Sequence, residues 1–421
     1  MEQKIKVLYL GVDDNPTPGH AFYAFQHVPP EYEAHLVIMS SHRGNDQYVL
    51  YPNRLVRNLK KMTRRNLWTR LQWWFRYGIF PKVDKSRKEY HFKGNELLGY
   101  SAKDILRRCP KGFVPDVIAV FWVSGFVSSR MIRQLHELTG AKVVYYCVDE
   151  APLTGGCHYP FECRGFFSDC ADCPALLRGK RLASVQLEQK RRNLSKVPLY
   201  LSGPAYDSQL ARQSAVFKNA MILTVTSKPR VTYTPRDEAR RRFSLSADSF
   251  VVMMGAMGTQ DKRKGFSYAA EALNEAAQQI PNLVVLVAGN ANDELRQRLQ
   301  SVNCQYVGVL SLDDLYKAFC AADVFLSSTI ADSGPMMVNM ASALGTPTVA
   351  FPVGVAVSLV RHQETGYMAR YKDSADLAAG LRYLHSLSDD ERATMSRRCR
   401  EVLDEEAGRG TSLQQLLKEF R

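Results

Sequence analysis

The chain has no apolar run approaching the roughly 20 residues that a membrane-spanning helix requires. Its opening, Met1-Glu2-Gln3-Lys4, passes directly into the strand-like Ile5–Leu10, without the basic, apolar and small-residue segments of a secretory signal. No repeat of solenoid length and no low-complexity tract is visible, which excludes repeat and disordered architectures. Acidic residues are short relative to basic ones, 42 against 56, for a net charge of +14. What is present is apolar material: 45% of 421 residues, enough to fill two or three cores. The expectation is a cytoplasmic protein whose nine cysteines are reduced, so that a cluster of them reads as metal-binding before disulfide-bonded.

The positive charge is concentrated. Between Asn53 and Asn95 stand thirteen Lys and Arg against two acids, Asp84 and Glu89, and the rest of the chain is nearly balanced. The same segment carries Leu67-Trp68-Thr69-Arg70-Leu71-Gln72-Trp73-Trp74-Phe75-Arg76-Tyr77. Cations interleaved with tryptophan suit the headgroup depth of an anionic membrane. Single-stranded nucleic acid takes similar residues, and a helix covering the first domain with its tryptophans inward is a third reading.

Apolar runs alternate with helical patterns along the whole length. Lys4–Gly11, His35–Met39, Pro115–Trp122, Lys142–Val148, Val197–Ser202 and Met221–Val225 read as strands of a first α/β domain. Ser227–Ala247, with two prolines and the charged Arg236–Arg242, reads as a connection followed by a short helix. A second series has strands at Phe250–Met254, Leu283–Ala288, Cys304–Val307, Val324–Ser328 and Pro347–Phe351, and an amphipathic last helix at Leu413–Phe420. Strands separated by crossover helices imply parallel sheets and ligand sites at the strands' carboxyl ends. The expected fold class is α/β, with two Rossmann-like doubly wound domains facing across a cleft: residues 1–222, 223–398, and a helical tail over 399–421.

After Phe250–Met254 comes Gly255-Ala256-Met257-Gly258, then Asp261-Lys262-Arg263-Lys264-Gly265 and the helix Phe266–Ala276. Small residues after a strand, with cations at the mouth of a helix, offer a diphosphate close backbone approach, N–H donors and positive charge. A solvated basic turn is the plainer reading. Asp332-Ser333-Gly334-Pro335-Met336-Met337 opens a second helix, with Asp332 either an ordinary N-cap or a sugar contact.

In this order the motifs resemble the retaining glycosyltransferases of family 4, which have the GT-B fold, and particularly the branch that builds bacterial exopolysaccharides of colanic-acid type. Arg263-Lys264-Gly265-Phe266 is similar to that family's diphosphate loop. Val287-Ala288-Gly289-Asn290 resembles the strand and turn that follow, and Val307-Gly308-Val309-Leu310 lies where the base stacks. Ala321–Ser328, Gly345–Ala350 and Gly366-Tyr367 complete the match. The family places two glutamates around the donor loop; here Asp332 stands at the first and Met340 at the second, where a thioether cannot clamp ribose hydroxyls. The branch's usual His-Asp pair reads Val148-Asp149, and its His-Trp pair reads Phe121-Trp122. The resemblance implies transfer with retention and no catalytic metal. It makes Lys264, Arg263, Asp332 and Asp149 the expected catalytic residues. Donor contacts are expected at Gly19, Gly258, Asn290, Val309, Leu310, Ser333, Gly334, Met336, Met337 and Met340.

Thr154-Gly155-Gly156-Cys157-His158-Tyr159, Cys163 and Cys170-Ala171-Asp172-Cys173-Pro174 place four thiols within seventeen residues. Cys157, Cys163, Cys170 and Cys173 are a candidate structural zinc set, or reduced thiols that pack together. Gly19, in Asp13–Ala21, would permit close approach of an acceptor or phosphate, while His20 reads as a surface histidine.

The expected function is sugar transfer from a nucleotide diphosphate sugar to the hydroxyl of a lipid-linked or glycan acceptor in surface polysaccharide biosynthesis. The enzyme would sit at the inner face of the cytoplasmic membrane through residues 53–95, with no nucleic acid partner. The alternatives are a catalytically impaired relative that binds sugar or scaffolds the pathway, and a zinc-containing nucleic-acid-binding protein.

Overall fold

The computed structural model describes residues 4–15, 20–50, 71, 74–75, 78–79, 81–94, 96, 101–334 and 336–410. Two compact units result. One holds the chain up to Thr224 except Pro204–Tyr206, and the other holds Val225–Gly410 together with those three residues.

The first unit is built on strands β1 (Ile5–Gly11), β2 (Tyr32–Ile38), β4 (Val117–Val120), β5 (Lys142–Tyr146), β7 (Leu199–Gly203) and β8 (Met221–Thr224). They form one sheet in the order β2-β1-β4-β5-β7-β8, every neighbouring pair parallel. The apolar runs follow from this: β1 sends Val7 and Tyr9 into a cluster with Leu36, Val117 and Ala119, while Leu8 and Leu10 are just as buried on the opposite face. A short antiparallel pair, β3 (Lys82–Val83) with β6 (Leu176–Arg178), stands beside this sheet.

The second unit has β9 (Phe250–Gly258), β10 (Leu283–Asn290), β11 (Cys304–Gly308), β12 (Val324–Ser327), β13 (Thr348–Ala350) and β14 (Gly366–Met368). Their order is β11-β10-β9-β12-β13-β14, all parallel, the 3-2-1-4-5-6 arrangement of a doubly wound nucleotide-binding sheet. Alternation along β9 sorts two cores. Phe250, Val252 and Met254 pack with helices Phe266–Ala277 and Ser374–Ser386. Val251 and Met253 pack with helices Leu312–Ala321 and Met336–Leu344.

One buried carboxylate ties the start of this unit to its sheet. Asp323, immediately before β12, accepts from Arg236 and Arg240 of the helix Arg236–Arg242, and from Arg392. The Arg240 guanidinium also reaches the carbonyls of Ala321, Ser246, Ala247 and Ser249. The polar connection expected over Ser227–Ala247 thus carries a structural anchor.

The helix Asp389–Arg409 is continuous, so the expected domain limit at residue 399 falls inside it, and Cys399, Val402 and Leu403 of that helix are core residues. The expected helix Leu413–Phe420 lies outside the described residues, as does most of the basic segment. Trp74 and Phe75, which are described, are exposed and meet edge to face at 4.8 Å. No helix among the described residues is long and apolar enough to cross a membrane.

Candidate functional site

In the second unit the sheet order reverses direction between β9 and β12, and there the two strands part. They pair only at Val252↔Val324 and Met253↔Phe325, whereas β9 stays paired with β10 as far as Gly258↔Asn290. The gap opens into a pocket of about 560 Å³ lined by Gly255–Gly258, Gln260, Asp261, Arg263, Lys264, Ser327–Thr329, Asp332, Gly334, Met336 and Met337. Its size lies in the range of small-molecule sites, at the position where doubly wound sheets bind ligands.

The loops that close this pocket are fastened to each other. Ser328 Oγ donates to the Lys264 carbonyl at 2.9 Å, and the Ile330 amide to the Arg263 carbonyl at 2.8 Å. Gly265 makes that approach possible: its φ is +63°, and a Cβ there would lie 2.0 Å from the Ser328 carbonyl oxygen. Two acids hold the cations. Lys264 Nζ is 2.5 Å from Asp332 Oδ2, and Arg263 pairs with Asp261 at 2.6 Å. Asp332 uses its other oxygen to accept the Gly334 amide, capping the turn into the helix Met336–Leu344. Beside that turn Ser333 is 1% exposed, and its hydroxyl has no hydrogen-bond partner among the described residues; the same holds for Asn339 Oδ1.

Other expected donor contacts are not among the residues that line this pocket. Asn290, Val309 and Leu310 are not among the lining residues; Asn290 gives its carbonyl to Thr259, and Val309 is exposed. Met340 is buried with Val338, Ala341 and Leu344. It lies one helical turn from Met336 and Met337 on the same helix face, deeper in the core they pack against, while those two line the pocket. Gly19 falls outside the described residues. His20 is partly buried, 3.9 Å from Asp13, and burial moves its pKa below the usual value.

In the first unit Asp149 has a double task. Its Oδ1 accepts the Ala151 amide, fixing the turn after β5, while its Oδ2 lies 2.6 Å from His158 Nδ1. His158 Nε2 lies 2.9 Å from Ser124 Oγ. A small cavity of about 40 Å³ adjoins this group, lined by Phe121, Trp122, Ser124, Val148 and Asp149 among others. The sequence alone placed His158 in the cysteine-rich motif and did not connect it to Ser124, 34 positions away; the one local signal was an Asp nine residues before a His.

The four cysteines of that motif share a small apolar cavity, yet no group of three or more metal-binding side chains among the described residues is arranged to hold an ion. Of the two expectations for these thiols, zinc has no support here, and packing of reduced thiols has. Cys157 instead donates its thiol hydrogen to Cys173, which lowers the Cys173 pKa and raises that of Cys157. All nine cysteines are free. The four thiols line one cavity, with Cys157 and Cys173 buried and Cys163 and Cys170 half-buried, an arrangement that spacing alone cannot distinguish from ligation.

Comparisons with known proteins agree with the geometry of the second unit. Residues 248–386 match the family model described as glycosyl transferases group 1. The chain is 29% identical over 177 residues to the D-inositol 3-phosphate glycosyltransferase of Mycobacterium sp. (strain JLS), covering 39% of each. It is 33% identical over 120 residues to the UDP-N-acetylglucosamine–N-acetylmuramyl-(pentapeptide) pyrophosphoryl-undecaprenol N-acetylglucosamine transferase of Rhodococcus erythropolis, covering 28% of each. The chain thus spans well under half the length of these curated relatives. Among solved structures, sucrose-phosphate synthase from Thermosynechococcus elongatus matches 99% of both chains at a TM-score of 0.62 and 15% identity. Anabaena HepE in complex with UDP and glucose matches 99% of both chains at 0.57 and 12%. The chain therefore has the two-domain GT-B fold, and its residues 248–386 are similar in sequence to the glycosyl transferases group 1.

Proposed function

We propose that this protein is a glycosyltransferase that moves a sugar from a nucleoside diphosphate donor to an acceptor hydroxyl. The observation that carries the proposal is the pocket between β9 and β12, where Lys264 and Arg263 stand at the mouth of one helix and Asp332–Gly334 open another. A leaving diphosphate gains charge as the sugar–oxygen bond breaks. Fixed cations and helix N–H groups stabilise that charge without a protein nucleophile. The family match over these same residues, the relatives named as glycosyltransferases and the neighbour holding UDP support the donor class.

We extend the proposal to transfer of a hexose with retention of configuration, to a lipid-linked or glycan acceptor in surface polysaccharide synthesis. The support is the resemblance of the motif order, together with the exposed Trp74 and Phe75 within the basic segment as a contact for anionic lipid. A panel of UDP-, GDP- and TDP-sugars tests it: nucleotide release that rises with an added acceptor is expected, and the anomeric configuration of the product is read by NMR. An impaired sugar-binding relative is the second reading, favoured by Val148 and Met340 standing where the family has polar residues. Tight binding of a donor with no turnover of any in the panel would establish that reading and reject transfer.

A further inference from the structure

The cysteine-rich motif of the first unit holds a group of thiols that sugar transfer does not use. Cys157, Cys163, Cys170 and Cys173 line one cavity of about 20 Å³ together with Pro160 and Phe166. That space suits a molecule of about water's size. Cys157 and Cys173 belong to one buried cluster with Ile79, Leu176 and Leu182, and Cys170 packs against it. The Cys157 thiol donates its hydrogen to the Cys173 sulfur, so these two sulfurs are in direct contact. Both residues are also held by their backbones: the Cys157 carbonyl accepts the Thr154 hydroxyl at 2.5 Å, and the Cys173 carbonyl accepts the Leu176 amide at 3.4 Å. The other two thiols are placed differently. They flank Gly165, where a Cβ would lie 3.6 Å from Cys163 Sγ and 3.4 Å from Cys170 Cα. Cys170 has a φ of +55°, a left-handed backbone that a residue with a Cβ keeps where its surroundings impose it. That constraint restricts where its side chain can turn, and leaves Cys157 and Cys173 as the pair already in contact.

Two thiols whose sulfurs touch become a disulfide with little backbone movement. We propose that Cys157 and Cys173 are an oxidisable dithiol that closes to a disulfide in response to peroxide. Peroxide matches the site because the cavity has the scale of a small molecule, whereas bulky disulfide reagents do not fit it. In the first step the Cys173 sulfur, which accepts the hydrogen bond, gives up its proton and attacks one peroxide oxygen. The O–O bond breaks, a sulfenic acid forms on Cys173, and the hydroxide leaves with that proton as water. In the second step the Cys157 sulfur attacks the Cys173 sulfur and the S–O bond breaks. The departing hydroxide takes the Cys157 proton and leaves as a second water. The thiol pair thus loses two electrons and the peroxide gains them. The new bond ties the start of β6, which follows Cys173, to the turn that carries His158, whose carbonyl accepts the Glu150 amide at 3.0 Å. The oxidation state of the dithiol is therefore felt at the contact between His158 and Asp149.

The test treats the full chain, reduced and then freed of reductant, with hydrogen peroxide. Thiols are counted after unfolding, and linked peptides are identified by mass spectrometry. The nine free thiols are expected to fall by two, with a peptide joining Cys157 to Cys173, and dithiothreitol should reverse both effects. Cys157→Ser should leave Cys173 as a sulfenic acid that dimedone traps. Cys163→Ser and Cys170→Ser should still form the link. The unmutated chain answers by itself if a serine variant fails to fold. A link between any other pair of the four overturns the proposal, as does no loss of thiols at peroxide concentrations that oxidise free cysteine. One zinc held per chain and released as the thiols are lost also overturns it, because ligated thiolates are not a free dithiol.

Discussion

Lys264 Nζ and Asp332 Oδ2 are 2.5 Å apart although 68 positions separate the residues, because their loops leave neighbouring strands of one sheet. The acid orients the lysine and neutralises it, so a diphosphate arriving in the pocket competes with Asp332 for the same cation.

In the proposed reaction, removing the lysine removes stabilisation that grows in the transition state. Lys264→Ala is expected to lower kcat/KM for the donor by about 10²–10³, as loss of one fixed charge donor does elsewhere. Asp332→Asn acts oppositely on binding: UDP should bind about two- to fivefold more tightly once the competing charge is gone. Steady-state kinetics with the donor measure the first and isothermal titration with UDP the second, and weaker binding by Asp332→Asn would show that the carboxylate contacts the ligand favourably.

Gly265 and Gly140 separate strain from collision. Both have positive φ, but a Cβ on Gly140 meets nothing within 4 Å, whereas on Gly265 it meets the Ser328 carbonyl at 2.0 Å. Gly140→Ala should cost about 1–2 kcal/mol. Gly265→Ala should cost more and also weaken UDP binding, because Ser328 and the loop behind it must move. Thermal melts with and without UDP show whether the two variants differ in this way.

Asp323→Asn should destabilise the second unit by about 3–5 kcal/mol, the usual cost of leaving a buried cation without its anion. Arg240 would keep its carbonyl partners and lose its only carboxylate bond that the structure records. Urea unfolding of the full chain, followed by a probe in the second unit, gives the number; an unchanged midpoint would mean that the carbonyls suffice.

Asp14 makes the first unit acid-sensitive. Burial raises its pKa, but the amides of His42 and Arg43 and the side chains of Ser41 and Asn45 outweigh that and hold it at about 2. A carboxyl that binds its proton more weakly folded than unfolded stabilises the fold above about pH 4. That contribution is lost as pH falls toward 2. Asp14→Asn should be less stable at neutral pH by about 1–2 kcal/mol and should show a flatter decline between pH 4 and 2. Parallel declines in the two proteins would assign the acid sensitivity to other groups.

The second-unit strands were readable because Phe250–Met254 and Leu283–Ala288 are buried on both faces and so are apolar without interruption. The β14 strand was not, since three residues at a sheet edge carry no period, nor was the β3–β6 pair, whose Lys82 and Val83 are exposed. The Arg263–Lys264–Gly265 loop was legible from local chemistry, as was the turn at Asp332 that precedes the helix Met336–Leu344. That Lys264 reaches Asp332, or Ser124 reaches His158, depends on which strands become neighbours, and no local window contains that information. The cysteine spacing left zinc and packed thiols as alternatives for the same reason: proximity in sequence gave proximity in space, seen in the cavity the four share, but not the geometry of the donors.

Where β9 and β12 part after Met253 and Phe325, the residues facing the pocket include Gly255, Ala256, Gly258, Ser327 and Ser328. Side chains this small present mostly peptide groups, which every substitution except proline retains. Alanine scanning of this wall will therefore under-report what it contributes to recognition. Homologous chains can drift at these positions, within the limits of side-chain size, while the same row of amides and carbonyls persists.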